Sequence, residues 1–286
     1  MTSIPLGDFT IHRIVEMSLP FLEIEKMFPT STPEEVEALL PRLQPWAIDK
    51  ERRMLITVQA YLVRTPRHLI LLDTCIGCDK TYPLFPFWEN RQDTVWLDNL
   101  AAAGAQPEEI THVLCSHLHV DHAGWNTRLI DGRWVPTFPN AQYFFSREEV
   151  AAVEKREPDI WRESVSPVIE AGQAVIVESD HQIEDGVWFE PTPGHTQGHV
   201  AIHLESQGQR AVMWGDLLHS PAQCRHPHWS YRRDWDGAIS TESRQRVLGA
   251  CAEHNHLVLS SHFPAPSIGH IRPEGDAFWF HSKKEQ

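Results

Sequence analysis

Ser116-His117-Leu118-His119-Val120-Asp121-His122 places four potential metal ligands within six positions, directly after the apolar run of residues 110–115. That run predicts a short buried strand, so the histidines sit where the strand ends. In extended backbone, residues 117 and 119 point to the same side, and both imidazoles can approach one ion. Asp121 and His122 follow after the chain turns and can face a second ion. Neutral imidazole nitrogen and carboxylate oxygen are typical zinc donors. The chain holds 18 histidines in 286 residues, so the spacing carries the argument and the count does not.

One loop cannot close two metal sites, and further ligand types follow downstream. Thr192-Pro193-Gly194-His195-Thr196-Gln197-Gly198-His199 comes after an expected strand at residues 187–190, with Pro and Gly shaping a tight turn that presents His195. Trp214-Gly215-Asp216 ends another apolar run, and Asp216 can offer two oxygens to two ions. Ser260-Ser261-His262 ends a third, at residues 257–259. Singly, each fits a turn or a cap. Four strand ends in chain order, each delivering a ligand, make a site pattern.

Around these positions the pattern alternates little between strand and helix. Strands are expected at residues 9–15, 54–63, 68–72, 141–145, 174–177, 200–204 and 211–214, with Thr65-Pro66-Arg67 as a hairpin turn. Thr32 with Pro33 reads as an N-cap opening a helix to about Leu43. Residues 92–103 have helical spacing and stop at Gly104. Ser146-Arg147-Glu148-Glu149 resembles a capping box, and residues 241–254 form a late helix. Strands in runs with interspersed helices favour an α+β fold of two sheets with helices packed outside. We expect a single domain over 1–286, with the proline-punctuated segment 19–50 as an arm that serves as lid, as packing or as a homodimer contact.

The net charge of −14 argues against nucleic acid as partner, because phosphate backbones need Lys/Arg-rich surfaces. No basic leader and no apolar stretch of membrane-spanning length is visible, so the expected location is cytoplasmic, away from membranes. Five cysteines, an odd number, fit free thiols. Cys75-Ile76-Gly77-Cys78 lacks a second Cys pair at zinc-knuckle spacing and reads as small loop residues.

The set His117-x-His119-x-Asp121-His122, His195, Gly215-Asp216 and His262 resembles the metallo-β-lactamase superfamily, over about residues 54–271. Leu71-Leu72-Asp73-Thr74 looks like the family's first conserved aspartate. The resemblance implies a four-layer αββα sandwich with its metal site at one edge of the two sheets. It also implies that His117, His119 and His195 hold one metal, that Asp121, His122 and His262 hold another, and that Asp216 bridges them. An aspartate at the bridge is similar to the lactonase, glyoxalase II and phosphotriesterase branches. The ending from Ser261 to His270 is similar to the methyl parathion hydrolase and quorum-quenching lactonase branch.

Two divalent ions, zinc first, imply hydrolysis: cations about 3.5–4 Å apart polarise a bridging water, and the hydroxide attacks a carbonyl or phosphoryl centre. Asp216 and Asp121 are then the catalytic carboxylates, Asp121 as a proton acceptor. Asp73 is expected to orient a ligand histidine, with a strand-terminal cap as its alternative. His199 supports the site or is a core histidine. His219 and His270 are weaker candidates for supporting the site or touching substrate, His270 as a pocket residue, and His226 and His228 are expected to face solvent. Aromatic residues at 82–88 and 221–236, including Phe85, Phe87, Trp88 and Trp229, could wall a pocket for a small apolar lactone, ester or organophosphate. The alternatives are a glyoxalase II-like thioesterase, a β-lactamase-like amide hydrolase and a non-catalytic metal-binding protein. A ribonuclease Z-like nuclease is disfavoured by the charge.

Overall fold

The computed structural model describes residues 3–283. Two seven-stranded sheets are each built from strands in unbroken spatial order. The first runs Ser3–Leu6, Phe9–Glu23, Arg53–Arg64, Leu69–Leu72, His112–Leu114, Gln142–Ser146, Ala174–Val177. The second runs Gln182–Glu184, Val187–Pro191, Val200–Ser206, Gln209–Met213, Leu257–Leu259, Ile268–Glu274, Ala277–Ser282. Hairpins make most neighbours antiparallel. The parallel pairs Leu69–Leu72/His112–Leu114, His112–Leu114/Gln142–Ser146, Gln142–Ser146/Ala174–Val177 and Gln209–Met213/Leu257–Leu259 are the ones that need crossover connections.

Period-2 alternation sorts each buried strand between two cores. Tyr61, Val63, Ile70, Leu72 and Leu114 of the first sheet meet Phe189, Ile202, Leu204, Met213 and Leu259 of the second. Their neighbours Ala60, Leu62, Leu71 and Val113 turn outward to a helical layer that includes Trp96 and Leu100. On the other side, Ala201, Val212 and Val258 pack on Val247, Leu248 and Cys251 of the helix Gly237–Glu253. Three apolar seams separate four layers, so the expected αββα sandwich is what forms.

The amino-terminal arm is more regular than expected. The strand Phe9–Glu23 continues through Pro20, then helices Ile24–Met27 and Pro33–Leu43 follow. Proline is tolerated because Ser3–Leu6 pairs only as far as His12, which leaves the later part as an edge. Thr32 and Glu35 form a reciprocal capping box. Ile24, Met27, Phe28, Val36, Leu39 and Leu43 are buried in the outer core of the first sheet, so the arm is packed against the body.

The capping box expected at Ser146 does not form. The Ser146 hydroxyl meets Glu148, and Glu149 turns inward to accept the N–H groups of Leu118 and Gly198 at 3.2 and 3.1 Å. The late helix starts at Gly237, where Asp236 caps it through Ala238 and Ile239. The five cysteines are free thiols. Among the described residues, no helix is long and apolar enough to cross a membrane.

Candidate metal centre

Both sheets deliver side chains at the same end. His117 and His119 follow the strand His112–Leu114, and the one-turn helix Val120–Ala123 carries Asp121 and His122. His195 lies in the turn after Val187–Pro191. Asp216 lies in the turn Gly215–Leu217, and His262 follows Leu257–Leu259. Gly215 has φ +52°, and a Cβ there would stand 2.6 Å from Ser116 Oγ and 2.7 Å from His199 Nε2. The position therefore requires glycine for both its conformation and its space.

The seven side chains fall into two groups that share Asp216. In one, His119 Nδ1 lies 3.1 Å from His117 Nε2 and 3.0 Å from His195 Nε2, and Asp216 Oδ2 is 3.1 Å from His195 Nε2. In the other, His122 Nε2 and His262 Nε2 are 3.2 Å apart, Asp216 Oδ1 stands 2.9 and 2.8 Å from them, and Asp121 Oδ2 lies 3.7 and 3.5 Å away. Ligand bonds of about 2.0–2.2 Å at tetrahedral angles put donors about 3.3–3.6 Å apart. The observed separations fall near that range.

The outer hydrogen bonds say which nitrogens carry lone pairs. His262 Nδ1 donates to the Thr57 carbonyl at 3.0 Å, His122 Nδ1 to Asp73 Oδ2 at 2.7 Å, and His195 Nδ1 to Asp234 Oδ1 at 3.0 Å. In the neutral rings the Nε2 lone pairs then face one another, an arrangement that calls for an electrophile between them. With these Nε2 atoms unprotonated, Asp216 Oδ1 is buried and receives no hydrogen bond, although two of them stand within 3 Å. The donor set of imidazole nitrogens and carboxylate oxygens therefore fits divalent metal ions.

Electrostatics agree. Burial disfavours the Asp216 carboxylate, but His122, His262, His219 and His195 together hold it well below the usual carboxylate range. Burial also opposes charge on His122, yet Asp216, Asp121 and Asp73 raise it well above an ordinary histidine. Protons and cations compete for these lone pairs, so metal affinity falls with pH.

Asp73 also accepts the Ser116 backbone N–H at 2.7 Å and the Ser116 hydroxyl at 2.8 Å, which fixes the loop ahead of His117. His199 is buried and pushed down to about 3 by burial and by neighbouring histidines. Neutral, it accepts the Asp216 N–H at 3.0 Å. His219 Nε2 lies 3.1 Å from Asp216 Oδ2, beside the same groups.

A pocket opens above the centre. Phe21, Met27, Ile56, Tyr82, Phe85, Trp88 and Tyr231 form its walls, and Arg233 adds a cation. Of the pocket residues expected from sequence, Phe85 and Trp88 are there, and Phe87, Trp229 and His270 lie elsewhere. Phe87 is 44% exposed and lies outside the lining, stacked on Phe85. Trp229 is fully buried and packs on Phe28, its Nε1 donating to Glu35. His270 points to the far cavity of the second sheet, with Nδ1 on the His256 carbonyl. His226, expected in solvent, is largely covered, and both it and His228 face Glu35. Asp234 and Glu149 escaped the sequence reading; Glu149 left a false capping signal and Asp234 left none.

A family model described as the metallo-beta-lactamase superfamily matches residues 55–248. An N-acyl homoserine lactonase of Bacillus cereus is 31% identical over 114 residues, 40% of this chain and 40% of that protein. One from Bacillus thuringiensis is 30% identical over the same length and shares. The match thus spans about 40% of these curated relatives. Among solved structures, AbOPH, a hydrolase in the beta lactamase superfamily, superposes with a TM-score of 0.85 at 23% identity, covering 100% of this chain and 98% of that one. AidC, a dizinc quorum-quenching lactonase in complex with N-hexnoyl-L-homoserine, superposes at 0.81 and 22% identity, covering 99% and 97%. At these identities the structural likeness is one of fold.

Proposed function

The chain belongs to the metallo-beta-lactamase superfamily, and from that premise we propose that it is a binuclear zinc hydrolase that opens a small apolar lactone or ester. The observation that carries this reading is the division of Asp216, one oxygen toward each of two imidazole groups, beneath an aromatic pocket. His117, His119 and His195 would hold one ion, Asp121, His122 and His262 the other, with Asp216 shared. When bound, two divalent cations supply Lewis acidity, which polarises a carbonyl and makes water acidic near neutral pH.

The chain's own groups do the rest. Asp73, Asp234 and the Thr57 carbonyl fix tautomer and ring orientation of three histidines. Asp121, 8% exposed on the pocket floor, takes the proton from the attacking water. The Tyr231 hydroxyl is pushed up by burial and by Asp216 and Asp121, so it stays protonated and can donate to a substrate oxygen. Phe21, Phe85 and Trp88 accept the apolar part of the substrate and exclude water. Arg233 at the rim attracts a polar or anionic end. The lactonase names of the partial relatives favour a lactone over a phosphotriester.

The test is a hydrolysis panel on metal-depleted and zinc-reloaded protein, with lactones, aryl esters, phosphotriesters, glutathione thioesters and a chromogenic lactam. We expect zinc-dependent turnover, fastest on acylated lactones. Preference for the thioester or the lactam would move the assignment to those branches. Tight zinc binding with no turnover on any substrate would refute the hydrolase reading.

A further inference from the structure

A third group of ligand-type side chains lies outside the buried centre, at the seam between the arm and the loop that lines the pocket. Glu35 stands in the first turn of the helix Pro33–Leu43. Its Oε1 lies 3.3 Å from His226 Nδ1 and 3.2 Å from His228 Nε2, and the three ligand atoms are within 4.8 Å of one another. The two contacts to Glu35 are close to the donor–donor spacing of about 3.3–3.6 Å that tetrahedral zinc requires.

The group is also held in place. Glu35 Oε2 accepts from the Thr32 N–H at 3.0 Å, the Thr32 hydroxyl at 3.1 Å and Trp229 Nε1 at 3.1 Å, which aims Oε1 at the histidines. His226 lies parallel on Trp229 with centroids 4.8 Å apart. Carboxylates and rings oriented by such outer contacts bind metal better than mobile ones. Glu35 Oε1 meets both histidine nitrogens at once, a convergence that a single ion among the three atoms accounts for. The His228 side chain is 52% exposed, which leaves room for water to complete the coordination.

We propose that Glu35, His226 and His228 form a further divalent-cation site of the zinc class, open to solvent and separate from the buried pair. Its ligands come from both sides of the seam. The same seam carries hydrogen bonds from the Arg232 N–H to the Met27 carbonyl and from the Ser230 N–H to Thr30 Oγ1. Met27 and the nearby Tyr231 and Arg233 line the pocket. An ion here ties the arm to the pocket loop.

The experiment compares the full-length wild type with H226Q/H228Q and with H228Q alone. Each is equilibrated in zinc buffered from nanomolar to about 10 µM free ion, and bound zinc per chain is measured by mass spectrometry. Wild type is expected to fill one equivalent more than either variant, in the micromolar range, with equal melting temperatures of all three in chelator. Cobalt in place of zinc should show an additional tetrahedral absorption band in wild type alone. The difference between proteins is read, so the count at the buried centre does not enter, and failure here leaves the hydrolase assignment standing. Equal plateaus in wild type and double variant overturn the proposal. A loss confined to the double variant, with a lowered melting temperature, assigns the effect to misfolding and overturns it as well.

Discussion

Asp234→Asn changes one atom type and leaves the shape of the site intact. The Asp234 side chain is 1% exposed. It accepts the His195 Nδ1–H through Oδ1 at 3.0 Å and the Tyr231 N–H through Oδ2 at 3.0 Å. Asparagine has one acceptor oxygen for these two donors. If the oxygen stays on Tyr231, the amide NH2 faces His195 Nδ1, and the imidazole must move its proton to Nε2. That nitrogen is the one turned toward His119 and Asp216, so its lone pair is lost to the metal. If the amide flips, His195 keeps its tautomer and the Tyr231 N–H is left unsatisfied, at about 1–3 kcal/mol. Removing an outer partner of this kind costs roughly 10–100-fold in metal affinity, or about 1.4–2.7 kcal/mol. Chelator competition on the folded variant reads that affinity, and steady-state turnover at saturating zinc separates it from a stability loss. Affinity within threefold of wild type, with unchanged stability, would refute the tautomer argument.

Asp216→Ala should lower metal content and abolish turnover, since it removes the oxygens shared by both groups; metal analysis with an activity assay checks this, and full activity would break the bridging role. Tyr231→Phe should reduce kcat by roughly 100–1,000-fold through loss of one donor in a buried site, with metal content unchanged by mass spectrometry. Gly215→Ala should displace the Asp216 turn, because its Cβ would meet Ser116 Oγ at 2.6 Å, and should appear as a drop in bound metal together with a lower Tm. Lys80 is buried and lowered to about 7, mainly by burial and despite Glu163 and Asp79. Its unfolded form holds the proton up to about 10.4, so unfolding takes up a proton between about 7 and 10.4. Stability should therefore rise with pH in that window by up to roughly 1.4 kcal/mol per unit, and Lys80→Met should flatten the slope in paired denaturant titrations at pH 7 and 9.

The parts legible in the sequence are those written locally. His117, His119, Asp121 and His122 sit on one loop after one strand, and strand ends at His195, Asp216 and His262 carry their own turn signals. Period-2 apolar runs likewise announced most strands of both sheets. What stayed hidden depends on partners distant in the chain. Asp234 orients His195 across 39 positions, and an aspartate in a polar loop gives no hint of that. Trp229 and Tyr231 are two residues apart in an irregular loop, with no period to tell core from pocket wall. Glu149 carried a local signal for a cap, and tertiary context overrode it because the loop at Leu118 and the turn at Gly198 both needed an acceptor. The strand through Pro20 was missed because its edge status is set by where Ser3–Leu6 stops pairing.

The most direct test of the account is an anomalous difference map at the zinc edge from crystals of the zinc-loaded protein. Two peaks are predicted in this cleft, one enclosed by His117, His119 and His195, the other by Asp121, His122 and His262, with Asp216 between them. A map with no peak in this cleft, or with a single peak touching only one of the two groups, would contradict it.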